Sequence, residues 1–136
     1  MKTAKELYPD ILDKEDGYFF STGDYEPILK SFGEVKIQVD DKDYQGDSRV
    51  LYKKDNKYGY LQFGWGSCSG CDALQACDSY KAIDDLICQL NESIKWFDSK
   101  EEALKFFQSH DWDGDYSTNS EEQKQFVLQC IKELSA

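Results

Sequence analysis

The chain has 136 residues, 40% of them apolar and 15% aromatic, which is enough to pack one domain (1–136) and too much apolar surface for wholesale disorder. Its formal charge is -11, from 27 Asp and Glu against 16 Lys and Arg, with Arg49 the single arginine; this disfavours direct nucleic-acid binding, which needs concentrated positive charge. No apolar run approaches a membrane span, and the opening MKTAKELYPDILDKEDGYFF lacks the apolar core of a signal peptide, so no membrane association is expected and the cytoplasm is the expected compartment.

In chain order, Pro9 interrupts an opening helical piece, and DYEPILKSFG predicts a short helix from near Asp24, with Pro27 in its first turn and Gly33 as its stop. EVKIQVD alternates Val35, Ile37 and Val39 against polar neighbours, the period of a half-buried strand. SRVLYKKD and KYGYLQFGW follow, joined by a turn at Asp55 and Asn56, which predicts a three-stranded antiparallel meander. Tyr58, Tyr60, Phe63 and Trp65 are expected to share one face of the third strand, as core or, on an open face, as a protein-binding patch.

A flexible loop rich in Gly and Ser comes next, and a helix is expected from about Asp72 with Ile83, Leu86, Ile87 and Leu90 on one face. SIKWFDS predicts a short fourth strand. Two more helices follow, the first opened by a capping box of Ser99 and Glu102 and the second by Ser120 and Gln123. The expected fold is α+β: a three- to four-stranded antiparallel sheet with helices packed against it and a zinc-bound loop after the third strand.

Three of the five cysteines fall within GSCSGCDALQAC. Cys68 and Cys71 have the C-x-x-C spacing of a zinc knuckle, and Cys77 lies near the start of the next helix, where a helix N-terminus would favour the thiolate. His110, the lone histidine, is the first choice as fourth ligand. Cys88 would lie about 16 Å from Cys77 along one helix, too far for a shared ion, and Cys130 falls on the apolar face of the last helix. Asp72 or a water is a further choice for the fourth position. Two other readings compete with zinc: reduced cysteines that are simply buried, and a redox C-x-x-C, although no strand-helix-strand unit precedes it.

In DWDGDYSTNSEE, Asp111, Asp113, Asp115, Asn119 and Glu122 stand at positions one, three, five, nine and twelve of an EF-hand loop. Tyr116 replaces the required Gly and Thr118 the usual apolar residue, so a solvated acidic loop competes with the calcium reading. No phosphate-binding or nucleophile-elbow motif is present. The expectation is therefore a non-enzymatic protein; the alternative is a metal-dependent or thiol redox enzyme built on Cys68, Cys71 and Cys77.

FGWGSCSGCDALQAC, IKWFDSKEEAL and HDWDGDYS, within residues 58 to 116, resemble small acidic proteins encoded by bacteriophages. A short, acidic, zinc-binding phage protein is also similar to some type II-A anti-CRISPR proteins, the inhibitors phages use against Cas9. These share no common motif, so no site residue is carried over. The resemblance implies the host bacterial cytosol, Cas9 as partner and inhibition by blocking target DNA loading. The physics is compatible, since an acidic globule is drawn to the basic channels that hold guide and target, though the same charge also serves to keep a small protein in solution. Asp40, Asp41, Asp43, Asp47, Asp84 and Asp85 are the candidate partner-binding carboxylates.

Overall fold

The computed structural model describes residues 2–11, 22–42, 45–66, 72–112 and 120–136, the side chain of Ser120 excepted. At its centre is a long hairpin. Strands β2 (Gly46–Lys54) and β3 (Lys57–Trp65) pair antiparallel from Gly46↔Trp65 to Lys54↔Lys57. Asp55 and Asn56 close it, with Asp55 at φ 57, a left-handed conformation that Asp accepts more readily than most residues. Strand β1 (Glu34–Asp40) pairs with β2 and the short β4 (Lys95–Phe97) with β3, giving a four-stranded antiparallel sheet in the order β1-β2-β3-β4. The fold is the expected α+β class.

The sheet is covered on both faces. On one lie α1 (Ala4–Leu7), α2 (Glu26–Ser31) and α3 (Tyr80–Ser93), which bring Ala4, Ile28, Leu29, Ile83, Ile87 and Leu90 onto Val50, Tyr52 and Leu61. On the other lie α4 (Lys100–Ser109) and α5 (Ser120–Ser135), which bring Ala103, Phe107, Phe126, Cys130 and Leu134 onto Leu51 and Tyr58. Double coverage explains why residues 48–52 of β2 are continuously buried where a one-sided sheet would alternate.

Two expectations about strand faces are corrected. Tyr58 and Tyr60 pack toward α4 and α5, whereas Phe63 and Trp65 pack toward α1, α2 and α3. The step from Tyr60 to Phe63 is odd, and a side-chain period of two sends the pairs to opposite faces. In β1 the register shifts between Val35 and Ile37, so Val35 packs with the first helical layer, and Ile37 and Val39 with the second. A bulge at this edge therefore re-aims the strand, turning Gln38 and Asp40 to the α2 side.

Local signals set the helix ends. Asp24 Oδ1 accepts the Glu26 N–H (3.0 Å) ahead of α2, and Ser99 Oγ accepts the Glu102 N–H (3.1 Å) ahead of α4. Glu102 returns its carboxylate to the N–H of Asp98 at 3.1 Å, one residue before the position a capping box prescribes. Helix α3 starts at Tyr80, capped by Ser79, and not near Asp72; residues 73–76 form a turn instead. Among the described residues no helix is long and apolar enough to cross a membrane.

Candidate functional site

The cysteine loop leaves β3 at Gly66 and returns at Asp72. Asp72 is 2% exposed, and its carboxylate is held by three donors: the Gly66 N–H (3.0 Å) and the Tyr25 hydroxyl (3.1 Å) on Oδ1, and the Gln75 N–H (2.9 Å) on Oδ2. Such hydrogen bonds are what a buried carboxylate requires. Gln75 Nε2 also donates to the Gly66 carbonyl at 3.2 Å, so both feet of the loop are tied to each other. Burial raises the Tyr25 phenol far above its ordinary pKa, and it stays neutral, accepting from the Leu74 N–H at 3.1 Å while donating to Asp72.

Cys77 follows the turn, half-buried, its thiol donating to the Ala73 carbonyl at 3.3 Å. Burial foremost, then the charges of Asp78, Asp72 and Asp85, push its pKa up. The expectation that a helix terminus would lower it is corrected: α3 begins three residues later, and the carboxylates nearby oppose the thiolate. Cys68 and Cys71 lie outside the described residues. His110 ends α4 and packs against Phe106 (4.9 Å) and Trp112 (4.5 Å), in the layer across the sheet from the core that Cys77 joins. The structure thus does not bring His110 to Cys77. Cys88 is exposed on α3 and Cys130 is buried beneath α5. Among the described residues no three His, Cys, Asp or Glu side chains are grouped to hold a metal.

Of the EF-hand positions, Asp113, Asp115 and Asn119 lie outside the described residues. Glu122 and Gln123 are buried at the start of α5, and Glu122 Oε2 and Gln123 Nε2 have no hydrogen-bond partner among the described residues.

Beside the loop's foot, between α2 and the α2-facing side of β1, β2 and β3, is a cavity of about 520 Å³. Tyr25, Phe63 and Trp65 supply its aromatic lining, and Asp24, Glu26, Asp40, Asp41 and Asp72 its carboxylates, with Lys30 the one lining cation among the described residues. The rings are held in place: Tyr25 by Asp72 and by Phe63, 4.9 Å between centroids, and Trp65 by its indole N–H to Ser48 Oγ at 2.8 Å.

The six candidate partner-binding acids have different fates. Asp40 is exposed at the cavity and accepts from Gln38 Nε2 at 3.0 Å. Asp41 is buried against Arg49 Nη1 (2.9 Å) and accepts the Asp47 N–H (2.8 Å), so it is a structural residue of the β1-β2 connection. Gly46 permits this closure, because a Cβ there would stand 2.7 Å from the Asp41 carboxylate. Asp43 lies outside the described residues. Asp47 sits 3.9 Å from Arg49 Nη2, and burial raises its pKa. Asp84 accepts the Ala4 N–H at 2.7 Å and ties α1 to α3, while Asp85 is exposed and pairs with Lys81 at 3.3 Å.

Sequence reasoning missed the cavity carboxylates Asp24 and Glu26 and the clamp made by Asp72. The odd spacing between Tyr60 and Phe63 was the available signal that Phe63 and Trp65 line a surface of their own. Neither a known family, nor a curated protein, nor a solved structure matches this chain.

Proposed function

We propose that this protein is a non-catalytic acidic binding module that docks on a basic, nucleic-acid-handling protein and blocks access of DNA to it, with Cas9 the partner that the phage resemblance implies. The observation that carries the reading is the cavity, where among the described residues five carboxylates face one cation, Lys30, and where the Tyr25 and Trp65 rings are already held by hydrogen bonds. Pre-organised aromatic surface within a negative field suits a protein contact, where steering by charge speeds encounter and aromatic anchors supply much of the affinity. Zinc on Cys68, Cys71 and Cys77 would serve the fold, holding in one shape the loop whose feet Asp72 clamps.

The test is titration of guide-loaded Cas9 with the protein, by calorimetry and by target cleavage, across a series of salt concentrations. A complex of defined stoichiometry that weakens as salt rises, and cleavage that stops once that stoichiometry is reached, are the expected results. No complex at about 0.1 M salt, or inhibition by far less than one equivalent, would overturn the reading.

A further inference from the structure

Resting on that reading, we propose that the cavity between α2, β1 and the foot of the cysteine loop receives an arginine side chain presented by the basic partner. Its carboxylates are not equivalent. Glu26 is matched by Lys30 at 2.5 Å and Asp41 by Arg49 at 2.9 Å, whereas Asp24, Asp40 and Asp72 have no cation within 4.0 Å among the described residues. Lys30 also feels the charge of Asp24, but among the described residues the cavity still carries a net negative field, which disfavours anions and gives a neutral ligand no advantage.

The form of the cation follows from the spacing of the acids. A bare metal ion needs several ligands converging at about 2.0–2.6 Å, and among the described residues no three acidic, His or Cys side chains converge in that way. Acids dispersed around about 520 Å³ suit a cation that is itself extended, with several donors. Tyr25, Phe63 and Trp65 narrow the choice further. A guanidinium is planar, stacks on aromatic rings and is less strongly hydrated than an ammonium, so it enters an aromatic cavity at lower desolvation cost. Its methylene stem can lie along the rings while its N–H groups reach Asp40 and Asp24, the exposed cavity acids other than Glu26, which is paired with Lys30.

The experiment uses the full chain labelled with nitrogen-15 and follows the Trp65 indole N–H, assigned with a Trp65→Phe variant. The probe is N-acetyl-arginine methylamide, and its neutral isostere N-acetyl-citrulline methylamide is the control. Saturable displacement of the Trp65 signal by the arginine probe, and no matching response to citrulline, are expected. The variant Asp24→Asn/Asp40→Asn keeps the acceptor for the Glu26 N–H and should bind the probe about tenfold more weakly, as for two screened charge contacts.

An equal response to citrulline, or no displacement of Trp65 by arginine, would overturn the assignment. So would a partner complex of unchanged affinity in the double variant, and in that case docking would stand without the arginine seat. A saturable arginine response with no partner complex would instead defeat the docking reading and leave the cavity's preference for a guanidinium supported.

Discussion

Arg49 Nη1 lies 2.9 Å from Asp41 Oδ1, and both residues are buried, Arg49 completely. Removing one member of such a pair strands the other charge and typically costs about 3–5 kcal/mol. Asp41→Ala is accordingly expected to lower the urea midpoint by that much free energy, whereas Asp40→Ala, at the exposed neighbouring position, should change it by less than about 0.5 kcal/mol. Equal effects from the two substitutions would refute the division between structural and surface acids at the end of β1.

Gly59 lies beneath Trp96. A Cβ there would approach Trp96 Cε3 and Cζ3 to 2.8 Å and Ile94 Cγ2 to 2.9 Å, and β4 pairs Trp96 directly opposite Gly59. Gly59→Ala should destabilise the protein by about 1–3 kcal/mol, the usual range for overpacking, and should shift Trp96 emission as β4 is displaced. Thermal unfolding followed by fluorescence checks both effects.

Elemental analysis of freshly reduced protein should find about one zinc per chain, as a single tetrahedral site requires. Cys68→Ser, Cys71→Ser and Cys77→Ser are each expected to lose it. His110→Ala should retain it, because His110 packs with Phe106 and Trp112 across the sheet from Cys77. Zinc lost from the His110 variant alone, or wild-type protein without metal, would contradict the site.

Cys88 is exposed and Cys130 is buried in the core under α5. In metal-free protein a thiol reagent should modify Cys88 well before Cys130, which should react only on global unfolding. Burial, with a smaller effect from Glu133, raises the Cys130 thiol far above its ordinary pKa. The folded state therefore keeps a proton that the unfolded chain gives up. Stability from this group is complete below the unfolded thiol pKa of about 8.5 and declines as pH rises beyond it. Denaturation measured from pH 7 to 10 should show a decline that Cys130→Ala reduces; an identical slope in the variant would exclude this cause.

Much of the fold was legible in the sequence because its signals are local. Alternating apolar residues, the Asp55-Asn56 turn and the Ser99 cap each act within a few residues, and the three-stranded meander, the short fourth strand and α4 appear where those signals fall. Helix α3 began later than its pattern suggested because Asp72 uses its carboxylate to fasten Gly66, Tyr25 and Gln75, and a side chain committed to those partners organises a turn.

The candidate site depended on the tertiary structure. Periodicity shows that a strand alternates, but the bulge in β1 decides which way Gln38 and Asp40 face, and the placement of helices on two sides of one sheet separates His110 from Cys77. Composition treats all carboxylates alike. Only the packed chain distinguishes Asp41, sealed against Arg49, from Asp40 at the mouth of an aromatic cavity, because desolvation and pairing are set by neighbours that lie far apart in sequence or on separate strands.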